Sequence, residues 1–336
     1  MKVLELFSGI GGMHYALKET GLDVEITAVE INTLANYVYK HNFPESLLLQ
    51  RNIQSFSAED INRISPEMII MSPPCQPFTR VGLKKDISDE RCSALSHIIS
   101  ILPQMNNTLC YILVENVKGF EVSLARDKLV LCLSELRFDY REFLLSPVQF
   151  GIPNARLRYY LIAKRKFLKV FRPIRIAESI SENILQKLNQ IHELTIEDIL
   201  NSDKESYKEN LIPDKILFKY GSIFDIVTKD SPKTCCFTKA YGHYVEGTGS
   251  VFCPFSQDYI KSVFKEYKNC SNPTLLKSLN LRYFTPDEIA KLMCFPPEFN
   301  FPNDVTCKQK YRLLGNSVNV KVVALLLRIL MCDEML

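Results

Sequence analysis

The 336-residue sequence lacks several features that would commit a chain to a class of protein, and each gap removes a possibility. No apolar run approaches the roughly 20 residues of a membrane-spanning helix, and the N-terminus MKVLELF enters a strand-like pattern directly, without signal-peptide architecture. A cytosolic or nuclear protein with no membrane partner is therefore expected. The eleven cysteines include no CxxC pair and no cluster with histidine at ligand spacing. Neither a disulfide framework nor a metal follows from them, and most read as small core residues with free thiols. Internal repeats and low-complexity tracts are also missing. A large excess of charge is absent too, and the net +3 by itself says little about a polyanionic partner.

What is present has the makeup of a globular chain, 46% hydrophobic and 24% charged, long enough for two cores. Residues 2–7 (KVLELF) read as a strand stopping at Ser8-Gly9, and GIGGMHYALKETG carries helical spacing to Gly21. A second strand, EITAVE, ends at Glu30, and a helix follows over NTLANYVYKHNF with Asn32 or Thr33 as N-cap. LLLQ, AEDINRI and EMIIMS repeat the pattern. After a charged stretch at 84–91, which could close over a substrate as a lid, come a helix to about Leu102, the strand YILVENV, the helix LARDKLVLCLSEL and the strands DYREFLLS and YYLIAKR. This alternation predicts an α/β fold with a doubly wound, mostly parallel sheet whose last strands can pair antiparallel. From 173 to 302 the hydrophobic periods shorten and mix, as in a smaller α+β domain. The strongly apolar helix at 318–330 would pack back onto the first domain, which then comprises 1–172 plus 303–336.

Chemistry concentrates at a few strand ends. In SPPCQPF, residues 72–78, prolines frame Cys75 and bias the loop towards stiff, extended geometry at the C-terminal end of EMIIMS, where open α/β sheets keep their ligands. A lone cysteine is more commonly a buried structural thiol, and one with the ordinary pKa of about 8.5 needs help to act as a nucleophile. Glu115 directly follows YILV at another strand end. Taken alone it could be a surface carboxylate, but burial there would raise its pKa, and a thiol with a protonatable carboxyl can add to an electron-poor ring. Arg156 and Arg158, two apart in NARLR, would project to one side of an extended segment and anchor a phosphate or carboxylate, or else form a salt bridge at a solvated edge.

In FSGIGG the glycines at 9, 11 and 12 allow a tight turn beneath the amides of the next helix. The spacing is not GxGxxG, so a small anionic group such as a carboxylate fits better than a pyrophosphate. Glu30 stands where an acidic residue holds ribose hydroxyls in this architecture. Together they suit an adenosine-bearing ligand with a carboxylate, as S-adenosylmethionine is, although the glycine run alone fits a plain turn equally well. Lys164, Arg165, Lys166, Lys169, Arg172 and Arg175 form a basic cluster that is either a solvated face or a polyanion contact.

Taken together, FSGIGG, Glu30, SPPCQPF, ENV, NARLR and YRLLGNSVN resemble, in order and from end to end, the motifs of the cytosine carbon-5 methyltransferases. The segment TCCFTKAYGHYVEGTGS at 234–250 and the short chain are similar to the branch named for DNA methyltransferases but acting on transfer RNA, with Cys236-Phe237-Thr238 as its marker. The resemblance implies an S-adenosylmethionine-dependent methyltransferase fold with a target-recognition domain at 173–302. It implies methylation of carbon 5 of a cytosine, in the anticodon loop of aspartate transfer RNA, by a monomer without metal. Cys75 would attack carbon 6 of a flipped-out base, Glu115 would hold or protonate N3, and Arg156 and Arg158 would fix the base or its phosphate. Phe7, Ser8, Gly9, Ile10, Gly11, Gly12, Glu30, Ile53, Gln54, Ser72, Asn316, Ser317 and Val318 would hold the cofactor, and Cys236, Phe237 and Thr238 the substrate. Two positions depart from the family pattern: Asn52, where many relatives are acidic, and KLMCFP, which lacks a common glycine. The rivals are a DNA cytosine-5 methyltransferase, or weak DNA activity beside RNA, and a catalytically silent RNA-binding scaffold. A small-molecule methyltransferase would need neither the framed thiol nor the second domain.

Overall fold

In the computed structural model, which describes residues 1–74, 93–165, 176–182, 184, 193–201, 208–270 and 272–332, seven strands form the main sheet. They are β1 (Lys2–Leu6), β2 (Glu25–Glu30), β3 (Leu47–Gln50), β4 (Met68–Met71), β5 (Tyr111–Val117), β6 (Phe138–Leu145) and β7 (Arg158–Arg165), in the order β3-β2-β1-β4-β5-β7-β6. The pairings among β1 to β5 are parallel, and β7 runs antiparallel to both β5 and β6. The order reverses between β1 and β4, which makes their C-terminal ends the place where an open α/β sheet leaves a crevice. This is the architecture of the S-adenosylmethionine-dependent methyltransferases, as the alternation of strand and helix patterns anticipated.

Both faces of this sheet are covered, which is why its central strands are apolar runs rather than alternations. Leu4, Leu6, Ile69, Met71, Ile112 and Val114 point to one side, into a core shared with α3 (Ala58–Ile64), α4 (Ser93–Ile101) and α5 (Leu124–Glu135). On the chain's other flank α1 (Gly12–Thr20) packs against the C-terminal helix Val320–Met331, which also touches β7. Local signals set the helix ends. Asn32 caps α2 (Thr33–Asn42) by accepting from the Leu34 and Ala35 amides, and Gly21 closes α1 in the left-handed conformation.

The stretch Cys307–Met331 corrects the expectation that no segment is long and apolar enough to span a membrane: by length and composition this one is. It consists of two helices, Cys307–Gly315 and Val320–Met331, parted at Asn316–Asn319, and most of its residues are buried in the fold. Its apolar character comes from core packing.

The chain forms two compact units, Met1–Ser146 with Leu157–Ile191 and Val318–Leu336, and Pro147–Arg156 with His192–Ser317. The second contains a small sheet of β8 (Asp225–Val227), β9 (Ser250–Phe252) and β10 (Arg282–Tyr283), with β8 parallel and β10 antiparallel to β9. A core of Ile212, Leu217, Val251, Cys253, Ile260, Val263 and Leu276 lies under the helix Gln257–Cys270. Its most deeply buried charges are Arg282 and Glu288, paired through two hydrogen bonds of 2.8 Å each. The Glu288 carboxylate also accepts from the Thr285 amide at 2.8 Å and the Asn201 amide at 2.9 Å, so it joins three segments of the unit. Breaking such a pair strands a buried charge. Arg282→Met is therefore expected to lower stability by about 3–5 kcal/mol, read as a lower urea midpoint at unchanged slope. The paired replacement Arg282→Met with Glu288→Leu recovers only part of this, because the two amides lose their acceptor.

Candidate active site

The chain leaves β1 through a turn that few side chains could adopt. Phe7, Gly9 and Gly11 all have positive φ, at 57°, 54° and 87°. Gly11 is restricted twice over, because a Cβ there would also lie 2.3 Å from the Phe43 ring. α1 then begins without a side-chain cap, leaving first-turn amides available to an anion. Glu30, at the end of β2, accepts from the Gly9 amide at 3.1 Å through Oε2 and from the Ile31 and Asn32 amides at 2.8 and 2.9 Å through Oε1. It braces the turn from the side where ribose hydroxyls were expected. Ser8 is buried, and its hydroxyl has no hydrogen-bond partner. An uncapped helix start, an orphaned buried hydroxyl and a strand-end carboxylate fit a ligand that carries both a carboxylate and ribose hydroxyls.

The other expected cofactor residues in this unit differ in exposure. Ile10 and Ile53 are buried, and Gln54 is exposed in the short turn Ile53–Ser55 after β3. Asn52, the departure from the acidic pattern, caps that turn by accepting from the Gln54 amide at 3.1 Å. An aspartate would cap in the same way, so the local fold survives the change.

The sheet brings the reactive motifs to this place. Met71 at the end of β4 lies between Leu6 of β1 and Val114 of β5, so the segments leaving the three strands are neighbours. The Ser72 hydroxyl reaches the Phe7 carbonyl at 3.5 Å, and the Asn116 side-chain amide reaches the Pro73 carbonyl at 3.4 Å. Thus the proline loop is tied to the glycine turn on one side and to the ENV strand end on the other. Cys75 lies just outside the described residues, as do 84–91 and residues 166–175 of the basic cluster. Glu115 is buried, with its Oε1 3.4 Å from Arg158 Nε. Arg158 opens β7 opposite Val117, a diagonal cross-strand neighbour of Glu115, which explains the pairing.

The expectation that Arg156 and Arg158 project side by side needs correcting. Arg156 precedes β7, and the backbone there turns to bond elsewhere, the Ala155 amide to the Thr234 carbonyl at 2.9 Å. Its buried guanidinium donates to the carbonyls of Phe237 (3.1 Å), Gly315 (3.2 Å) and Ser317, and to Cys236 Sγ at 3.4 Å. Arg156 therefore clamps the CFT segment to the GNS segment. Gly315 permits the approach, since a Cβ there would lie 2.2 Å from the Lys239 backbone nitrogen. The Phe237 ring is 2% exposed, edge-on to Tyr241 and Phe284, so a substrate could meet only Cys236 and Thr238, which are half-buried. Asn316 is exposed and Ser317 half-buried at the end of the second unit, while buried Val318 opens the last segment of the first.

Two features of this region are not apparent from the motifs alone. Within ENV, the Asn116 side chain tethers the proline loop. Glu5 is a carboxylate inside the apolar run KVLEL, and an acid within a strand buried on both faces is the signal that marks it.

The described residues hold no group of three histidine, cysteine, aspartate or glutamate side chains able to bind a metal. Residues 1–331 match the family model of the C-5 cytosine-specific DNA methylases. The chain is 48% identical over 335 residues to a tRNA (cytosine(38)-C(5))-methyltransferase of Spodoptera frugiperda, covering 98% of each. It is 39% identical over 367 residues to a DNA (cytosine-5)-methyltransferase of Dictyostelium discoideum, covering 98% of this chain and 94% of that one. The fold superposes on the crystal structure of a Spodoptera frugiperda DNMT2 mutant with a TM-score of 0.88 at 45% identity, covering 98% and 99% of the two chains. A chain with this fold, these strand-end motifs in this order and these relatives belongs to the C-5 cytosine methyltransferase family, whose methyl donor is S-adenosylmethionine.

Proposed function

We propose that this enzyme methylates carbon 5 of a cytosine in transfer RNA, in the anticodon loop of aspartate transfer RNA, through a covalent cysteine adduct. The observation that carries the reading is the meeting of three strand ends: the glycine turn after β1, the proline loop after β4 and Glu115 in β5, joined through Ser72 and Asn116. A cytosine ring resists methylation at carbon 5 because that carbon is a poor nucleophile. Addition of the Cys75 thiolate to carbon 6 forms an S–C6 bond and moves electron density to carbon 5, while Glu115 delivers a proton to N3. Bound S-adenosylmethionine supplies the methyl group. The carbon-5 proton then leaves to a base, the S–C6 bond breaks with its electron pair returning to sulfur, the 5,6 double bond returns, and N3 gives its proton back to Glu115. Arg158, beside Glu115, holds the carboxyl in place and would share in fixing the base. Glu30, Ser8 and the first turn of α1 hold the cofactor, with Ile53, Gln54, Ser72 and Val318. The base must leave its stack, because a stacked ring hides both faces from thiol and donor.

The choice of RNA over DNA rests on the CFT segment and on the name of the 48% identical relative. DNA is the second reading, favoured by the name of the Dictyostelium relative. Incubation with labelled S-adenosylmethionine and either transfer RNA or duplex DNA separates them. Label is expected chiefly in RNA, and bisulfite sequencing of aspartate transfer RNA should then locate it in the anticodon loop. Label chiefly in DNA would reverse the assignment.

A further inference from the structure

Glu5 is the penultimate residue of β1, between Ala28 of β2 and Ile70 of β4, and is completely buried. A carboxyl group in such a place is costly unless it has partners. Its Oε2 accepts from the Tyr39 hydroxyl at 3.0 Å, while Oε1 has no hydrogen-bond partner. The Tyr39 oxygen lies 2.6 Å from Nδ1 of His14. With the hydroxyl donating to Glu5, the tautomer that completes the chain has its proton on Nδ1 and donates to the tyrosine oxygen. The His14 ring stacks on Phe43 at 3.7 Å and 14°, and Phe43 fills the space that a side chain at Gly11 would need. The backbone amide of His14, in the first turn of α1, also faces the Glu5 carboxyl. One buried chain thus links β1 and α1, which the glycine turn connects, to α2, which follows the Glu30 loop.

We infer that Glu5, Tyr39 and His14 are positioning residues that hold the glycine turn and the first turn of α1 in the shape that binds S-adenosylmethionine. The inference rests on the reading that this turn and Glu30 hold the cofactor. None of the three need touch the ligand: they act through Phe43, Gly11 and the α1 amides. The chain is uncharged at neutral pH. Burial pushes the Glu5 carboxyl up to about 8, with Glu30 at the end of β2 adding to the effect, and burial holds His14 down at about 4, with Lys18 of α1 contributing. Tyr39 is also pushed well above its ordinary range by burial and by Glu5, and the β4 neighbour, Ile70, carries no charge. For Glu5, whose pKa lies above its ordinary 4.5, the stabilisation is complete below 4.5 and is lost as pH rises through about 8. For His14, depressed from 6.5, it is present above 6.5 and lost as pH falls through about 4. The chain is therefore intact around neutrality and fails on the alkaline side through Glu5.

Three variants test this, with S-adenosylhomocysteine binding measured by calorimetry and amide exchange of Gly9, Gly11 and Gly12 measured in ligand-free protein. Tyr39→Phe should weaken binding about tenfold, the scale of one lost hydrogen bond, and speed exchange of those amides, with kcat at saturating cofactor within about twofold of the parent. Glu5→Gln, neutral and nearly isosteric, should restore the parent's affinity at pH 7 and abolish its weakening between pH 7 and 9. Glu30→Ala, a direct contact, should weaken binding whatever the chain does. Unchanged binding and exchange in Tyr39→Phe, or an unchanged pH profile in Glu5→Gln, overturns the inference while Glu30→Ala still shows loss. Parent-like binding by Glu30→Ala overturns the cofactor assignment itself.

Discussion

Cys75→Ala is expected to reduce methyl transfer more than about 10⁴-fold, beyond the range that acid–base assistance alone contributes. Without the thiolate no bond forms at carbon 6, carbon 5 is not activated, and a correctly placed methyl donor has nothing to react with. The structural support is the loop that delivers the cysteine: Ser72 is bonded to the glycine turn and Pro73 to Asn116 before the chain reaches Pro74 and Cys75. Misplacement by about an ångström can cost on the order of 100-fold, so a tethered, proline-framed loop suits a nucleophile better than a free one. Transfer RNA carrying 5-fluorocytosine provides the direct check. Fluorine at carbon 5 cannot leave as a proton does, so the parent should form a complex that survives denaturing electrophoresis and Cys75→Ala should form none. Activity within tenfold of the parent in Cys75→Ala would exclude the covalent route.

Glu115→Gln should lower kcat by about 10²–10⁴-fold, the usual worth of a positioned acid or base, with a smaller change in the affinity for cofactor. Glutamine keeps the shape of the side chain and can still meet the ring edge, but it has no proton to give to N3 as charge develops. A second effect accompanies the first. Glu115 is the ion-pair partner of Arg158, 3.4 Å away, and both side chains are largely buried. Removing the carboxylate takes one buried ionic contact from the guanidinium, so some stability is lost as well. Measuring kcat per folded molecule separates the two effects, and Arg158→Lys distinguishes them further, since a lysine keeps the charge but not the planar fork. If Arg158→Lys retained full activity, fixing of the base by the guanidinium would be excluded, and the pair would be structural only.

Much of the first unit was legible in the sequence because its signals are local. A strand covered on both faces must be an apolar run, so KVLELF, EITAVE and YILVENV were recognisable within about a residue of their observed bounds. Asn32 and Gly21 marked helix ends for reasons contained in one turn of chain. The site was legible for a different reason: strand ends of an open α/β sheet collect ligands, so glycines, a framed cysteine and a carboxylate at such ends pointed to one crevice.

The sequence by itself determined the alternation of strands and helices, the residue types able to hold a methyl donor and add a thiol to a base, and the order of the family's motifs. Only the tertiary structure decided which of those residues meet. Arg156 and Arg158 are two apart in sequence, yet one clamps the carbonyls of Gly315 and Ser317, about 160 residues away, while the other pairs with Glu115 across two strands. Phe237 carries a family marker but is a core ring, and Glu5 becomes costly only once β2, β4 and α2 enclose it. Periodicity and capping act over a few residues and are written in the chain. Burial and partnership depend on contacts between distant segments, and these exist only once the sheet order has been set.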